Sequence, residues 1–260
     1  MPRINPLTPD ILIEVLKRSG LNTVLIEGID DLQIYRNIEK ELDIIDLDFL
    51  SCGGRTKLLE IYKRKNEISS KLLFICDSDL WLFFGRPDFA DEDLITTEGY
   101  SIENELYQDG EHILIKLLTD DEKLKLALII KNVCLWYSRE VEKAINEQSY
   151  DCSFSNVSLL NTAIIPKKSI EFSAEFLNKI NFQEPDEAIF QDILTNYQVK
   201  LRGKFLFQAY IKIFQERGKE GIKYSVDQLF DLIYRMVISE NSEDSILIKR
   251  RNIIQSYFNS

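Results

Sequence analysis

Histidine is almost missing from this chain: His112 is the only one in 260 residues. That excludes the histidine-rich zinc sites and argues against a nucleophile activated by imidazole. Cysteine is sparse as well. Cys52, Cys76, Cys134 and Cys152 stand far apart without a CxxC pair, so they read as buried or idle thiols and not as a zinc site or a disulfide framework. Ten glycines and six prolines leave little material for long disordered linkers. No apolar run approaches the roughly 20 residues of a membrane helix. The longest candidate, "LLFICDSDLWLFF", is broken by Asp77 and Asp79. The opening "MPRINPLTPD" has no basic-then-apolar export pattern, so the chain reads as soluble and cytoplasmic. An excess of positive charge is also lacking. A net charge of -11 argues against a general basic surface for nucleic acid. Local patches remain: "KRK" at 63–65, "KK" at 167–168 and "KRR" at 249–251, each either a solvated face or a contact for phosphate. What is left for chemistry is carboxylates, lysines, arginines and a hard metal.

What is present is a globular composition, 45% hydrophobic and 29% charged, long enough for one large domain or a domain with a substantial appendage. "PDILIEVLKRSG" (9–20) has helical spacing, with Ile11, Ile13, Val15 and Leu16 on the apolar side and Gly20 as the stop. "NTVLIEG" is a first strand. "DDLQIYRNIEKEL" (30–42) is a helix, with Asp30 or Asp31 able to cap it. "IIDLDFLSC" (44–52) is a second strand, and "GGRTKLLEIYKRKNEI" (53–68) a glycine turn into a second helix. "KLLFICDSD" (71–79) is a third strand, apolar on both faces until its acids. "DLITTEGYSIENEL" (93–106) is a fourth strand, a turn and a helix. This alternation predicts an α/β fold with a parallel sheet flanked by helices. Beyond residue 112 the spacing is mainly helical. "DDEKLKLALIIKNVCLWYSREVEKAINEQ" (120–148) reads as one or two helices, and "SNVSLLNTAII" (155–165) as a segment with room for a strand. From Ile170 on, helical patterns dominate.

In parallel sheets, ligands sit beyond the carboxyl ends of strands. Glu27 ends strand one, Asp77 and Asp79 end strand three, and Glu98 and Glu103 follow strand four. Two carboxylates two residues apart lie about 6.5 Å from one another on a continuing strand; at a strand end both can turn to one place. Gathered acids raise each other's pKa unless a cation joins them. Mg²⁺ takes oxygen ligands of this kind together with substrate phosphate oxygens. Gly28 would let the backbone turn and a phosphate or metal-bound water approach. Asp31 reads either as a further metal ligand or as the cap of the helix at 32–42.

"VLIEGIDD" followed by "LLFICDSD" resembles the two signature motifs of the Toprim domain, an apolar strand ending in Glu-Gly and another ending in Asp-x-Asp. "GGRTKLLEIY", "YSIENEL" and "LRGKFLF" narrow the resemblance to the OLD-like Toprim effectors of the PARIS anti-phage system. The resemblance implies a Toprim-like α/β domain over 1–112 and a mainly helical region over 113–260 packed on it. It implies a Mg²⁺-dependent (or Mn²⁺-dependent) nuclease acting as a toxic effector that cleaves RNA, tRNA in particular. An ABC/OLD-type ATPase would control it, and the active form would be a homodimer. By the same resemblance Glu27 is the acid/base or metal-ligating glutamate, and Asp77 and Asp79 are metal ligands. Asp31 matches a second acid, although the adjacent Asp30 competes for that match. Glu103 is a ligand or an orienting residue, or else a helix cap. Lys204 is a cation for the transition-state phosphate, or else a surface lysine. A DNA-acting Toprim nuclease of repair or recombination and a non-catalytic assembly module are the alternatives. The large apolar residues Phe205, Phe207, Tyr210, Phe214, Phe230 and Tyr234 read chiefly as a helical core, with part of the helical region left for a partner or dimer interface.

Overall fold

The computed structural model describes residues 7–86, 88–89, 91–148, 157–217 and 224–260. Cys152 and residues 155–156 of the segment with room for a strand lie outside the described residues. The elements in chain order are α1 (Pro9–Ser19), β1 (Asn22–Ile26), α2 (Leu32–Lys40), β2 (Leu47–Ser51), α3 (Arg55–Lys63), β3 (Leu72–Cys76), α4 (Trp81–Phe84), β4 (Leu94–Thr96), α5 (Ile102–Lys116) and α6 (Asp120–Glu147). They continue as α7 (Ala174–Lys179), α8 (Glu187–Thr195), α9 (Tyr197–Lys200), α10 (Gly203–Glu216), α11 (Val226–Glu240) and α12 (Ile246–Asn259). The fold is α/β, with a parallel sheet flanked by helices and a helical C-terminal region. Among the described residues no helix is long and apolar enough to cross a membrane.

The chain forms two compact units. One takes the described residues of Met1–Ser78, Arg86–Thr97 and Asn241–Ser260, and the other those of Asp79–Gly85 and Glu98–Glu240.

The first unit contains the sheet. Its four strands are all parallel, in the order β2-β1-β3-β4. The pattern of hydrophobicity explains which strands are central. All five residues of β3 are buried, as are four of the five in β1, whereas the edge strand β2 buries only Phe49. A strand covered on both faces must be apolar throughout, and each such side chain contributes about 1.5–3 kcal/mol on burial. Helix α2 covers β2 through Ile34, Tyr35 and Ile38. The Arg36 guanidinium of the same helix donates to the carbonyl of Phe49 at 2.8 Å. Helix α12 returns to this unit: Tyr257 donates its hydroxyl to the carbonyl of Leu72 at 2.7 Å, and Arg250 donates to that of Thr96 at 3.1 Å.

Helix α1 starts where Thr8 accepts from the backbone of Ile11 with Pro9 at the first turn, and it stops at Gly20 in the left-handed conformation. Its apolar face differs from the expected one. Leu12, Ile13 and Leu16 are buried on the side that meets α3, while Ile11 and Val15, one turn apart, are 47% and 45% exposed. Two stripes of apolar residues run along this helix, and spacing alone does not tell which one finds α3.

Two of the three basic patches are absorbed in part by the fold, with Lys63 and Lys249 left exposed. Arg64 pairs with Asp10 at 2.6 Å and with Glu67 at 2.7 Å, and Lys65 pairs with Asp91 at 2.6 Å. Arg250 is buried with its guanidinium on Thr96. Lys167 and Lys168, in the other unit, are exposed.

The second unit is helical. Phe205, Phe207, Tyr210, Phe214, Phe230 and Tyr234 are all buried, so the core reading holds for each of them. Phe207 and Phe230 meet edge to face with centroids 4.6 Å apart, the arrangement ring quadrupoles favour. Residues 120–147 form one helix, started by a capping box between Thr119 and Glu122. Gly110 of α5 lies directly against Ile233 of α11, where a methyl group would have no room. No strand forms among residues 157–165. The chain turns there instead, with Ile164 and Ile165 both donating to the carbonyl of Asn161 at 2.9 and 3.0 Å. Leu159 and Ile165 are buried from this turn, which accounts for the apolar pattern without a strand.

Candidate functional site

The order β2-β1-β3-β4 reverses direction between β1 and β3. One crossover leads from β1 outward to β2, and the next pair of strands builds the opposite way. A crevice opens at such a switch point, outside the carboxyl ends of the two central strands. The register pairs Ile26 with Ile75, so the residues that follow, Glu27 and Asp77, leave the sheet at this point.

Glu27 is held from two sides. The Arg55 guanidinium lies 3.3 Å from Oε2 through Nε, and the thiol of Cys76 lies 3.3 Å from the same oxygen. Burial, with the charge of Glu27 adding to it, drives the Cys76 thiol far above its ordinary pKa, so Cys76 is an S–H donor and not a thiolate. Burial likewise pushes Cys52 up to about 12, again with Glu27 contributing. Arg55 also donates through Nη2 to the backbone carbonyl of Asp77 at 2.5 Å. One guanidinium thus ties the end of β1 to the end of β3.

The Gly-Gly turn explains how Arg55 reaches this place. Gly53 and Gly54 have φ of 76° and 128°, conformations that side chains resist. Gly54 donates to the carbonyl of Glu27 at 2.8 Å, which sets the first residue of α3 beside that glutamate. In the sequence, Arg55 stands only as part of the motif "GGRTKLLEIY". The signal was there, since a basic residue directly after a glycine turn at the carboxyl edge of a sheet faces the ligand side.

Asp31 stands directly before α2, at its cap position, but its side chain makes no capping hydrogen bond to that helix. Its Oδ2 instead accepts from the backbone N–H of Gly28 at 2.9 Å, and Asp31 is only 8% exposed. This corrects the expected role of Gly28. Its φ is not in the left-handed region; a Cβ at this position would collide with the Asp31 carboxylate. The glycine makes room for an acid of the same loop. Asp31 and Asp77 each offer a carboxylate oxygen, within 4.8 Å of one another. Glu27 is not a member of that close group among the described residues. This donor set is hard and made of oxygen, which fits Mg²⁺ or Mn²⁺ and does not fit a thiolate-bound metal.

The DxD loop is pinned at its centre. Ser78 is buried; its N–H donates to Thr97 Oγ1 at 2.9 Å and its hydroxyl to the Thr97 carbonyl. Asp77 is therefore positioned by β4 as well as by Arg55.

Asp79, Glu103 and Lys204 belong to the second unit. Asp79 has a φ of 44° and donates its N–H to the carbonyl of Tyr100 at 2.8 Å. Glu98 is exposed and donates its N–H to Glu105 at 2.8 Å. Glu103 lies buried in the first turn of α5 and is not its cap. Asn104 takes part in that role: its Oδ1 accepts from the N–H and the hydroxyl of Ser101, both at 3.1 Å. The amide of Asn104 also donates to the carbonyls of Gln198 at 2.7 Å and Leu201 at 2.8 Å. Those bonds bring the start of α10 onto the start of α5. A Cβ on Gly203 would come within 2.7 Å of Ser101 Oγ, Glu103 Cβ and Asn104 Oδ1, so only glycine allows this approach. "SIENEL" and "LRGKF", about a hundred residues apart in sequence, thus form one helix junction that carries Glu103 and Lys204.

No family model matches this chain, and no curated protein matches it.

Proposed function

We propose that this protein is a divalent-metal-dependent phosphodiesterase, a nuclease whose centre is built on Glu27, Asp31 and Asp77. One observation carries the reading: the carboxylates of Asp31, in the loop after β1, and Asp77, after β3, come within 4.8 Å of one another at the switch point of a parallel sheet. Asp31 and Asp77 would hold Mg²⁺ or Mn²⁺. When bound, the ion would neutralise charge on phosphoryl oxygens and acidify a water. Glu27, aimed at the same edge by Arg55 and Cys76, acts as the acid/base that takes or returns the proton of the attacking oxygen. By the Toprim resemblance Asp79 completes the DxD motif, Glu103 is the accessory acid, and Lys204 is the cation that steadies the phosphate.

The remainder of the reading rests on the same resemblance. RNA, tRNA in particular, is the substrate, an ABC/OLD-type ATPase restrains the enzyme in the cytoplasm, and the released form is a homodimer. The net charge of -11 supports an enzyme that does not bind nucleic acid indiscriminately. The test is incubation of the purified chain, alone and with an ABC/OLD-type ATPase, with tRNA, single-stranded RNA and duplex DNA. Cleavage of RNA that needs Mg²⁺ and stops on chelation is expected. Cleavage of DNA alone would move the protein to repair or recombination. No cleavage of any substrate, with or without the ATPase, would overturn the enzymatic reading.

A further inference from the structure

We propose that the loop over residues 163–173 of the helical unit holds the phosphate backbone of an RNA strand, with Lys167 and Lys168 as its contacts. The inference rests on the reading of this protein as an RNA nuclease, and adds the place where a chain of net charge -11 takes up a polyanion. From Ala163 to Ile170 the loop carries two lysines and no acid. Both lysines are exposed, and neither ammonium is bonded to another group among the described residues. The loop is held in place from three sides. Ser173 closes its base, donating its N–H to the carbonyl of Ile164 at 2.8 Å and its hydroxyl to that of Ala163 at 2.7 Å. Asn132 of α6 donates to the carbonyl of Ile170 at 3.0 Å. At the tip Ser169 donates its N–H to the carbonyl of Pro166 at 3.1 Å, and Lys168 takes a φ of 61°, a left-handed conformation that a lysine resists.

Beneath the tip lies a third cation. Lys212 of α10 is 6% exposed, and its ammonium donates to the carbonyls of Pro166 at 3.0 Å and Ile165 at 3.3 Å. No carboxylate is bonded to it among the described residues; Glu216, one turn further on, pairs with Lys125 at 3.3 Å. Burial lowers the pKa of Lys212, the mark of an ammonium short of opposite charge. Carbonyls satisfy its hydrogen bonds and leave its charge uncancelled, so three positive groups meet at one loop. An anion at Lys167 and Lys168 supplies the missing charge. Phe172 follows, half-buried, with its ring against those of Trp136 at 5.3 Å and Phe176 at 5.4 Å. A half-buried ring beside cations suits a nucleic-acid strand over an acidic peptide, because unpaired bases stack on rings.

The test is fluorescence anisotropy of a labelled single-stranded RNA with the full chain, in EDTA so that no cleavage intervenes, over a range of KCl. Wild type is compared with the double variant Lys167→Gln, Lys168→Gln, whose side chains are exposed and whose melt should match wild type. The variant is expected to bind about tenfold more weakly, with a slope of log K on log salt shallower by about 1.4, for two phosphates at about 0.7 each. Lys63→Gln with Lys249→Gln removes the same charge from exposed positions of the first unit and should leave the slope unchanged. An equal loss there would show general attraction and overturn the docking surface. So would a Lys167/Lys168 variant that binds as wild type does, or a wild type that binds no RNA. None of these results touches the nuclease reading, which cleavage in Mg²⁺ decides separately. Displacement of the RNA by polyglutamate at equal charge would point to an acidic protein and overturn RNA as the occupant.

Discussion

Glu27→Gln should lower phosphodiester cleavage by about 10³-fold or more, within the range general acid–base groups contribute, while the protein stays folded. Glutamine keeps the shape and can still accept from Cys76 and Arg55, which now lie 3.3 Å from the carboxylate. It cannot take up a proton. The loss of charge removes the ion pair between Glu27 and Arg55, so a modest fall in stability of about 1–3 kcal/mol accompanies the loss of activity. Initial rates on RNA, set beside a thermal melt of the same preparation, separate the two effects. Activity within about tenfold of wild type would show that Glu27 does not do the chemistry. On the proposed reading of a toxic effector held by an ATPase, the same substitution should abolish toxicity in cells and leave the complex in place.

Asn104→Ala should be among the most destabilising single changes in the second unit, by about 3 kcal/mol, which corresponds to a fall in Tm of about 6–12 °C for a chain of this size. Asn104 is fully buried, and its amide serves Ser101, Gln198 and Leu201 together. Alanine removes the partner of the Ser101 N–H and strands two carbonyls. Glu103→Gln is the control, because Glu103 lies one residue away and does not cap the helix. It should leave Tm almost unchanged and lower the cleavage rate. Differential scanning calorimetry of both variants checks this. A fall of less than about 1 kcal/mol for Asn104→Ala would show that the junction of α5 and α10 is held elsewhere.

The two central strands were legible because burial on both faces leaves an unmistakable apolar run. "TVLIE" and "LLFICD" are such runs, and they became the two central strands with acids at their ends. Neighbouring placement of β1 and β3 was needed for convergence and was not legible in itself, since strand order depends on which crossover packs on which face. No periodicity marks Arg55; its only sign in the sequence is its place directly after two glycines. Gly28 was read as a path for phosphate, but the acid three residues on fills that space. On α1 two apolar stripes competed, and the one that meets α3 was not the whole set expected. The segment at 157–165 carried strand-like residues, yet Leu159 and Ile165 are buried from a turn. The return of α12 to the sheet unit rests on Tyr257 and Arg250 reaching backbone carbonyls, contacts that no local pattern announces.

The central claim is that Asp31 and Asp77 hold a divalent cation, and crystals soaked in Mn²⁺ test it most directly. Anomalous diffraction should place one peak within about 2.5 Å of carboxylate oxygens of both residues, the distance expected for oxygen ligation of such ions. It should vanish in Asp77→Asn crystals. A fully soaked wild-type crystal with no peak between Asp31 and Asp77, or with peaks only at surface acids, would contradict it.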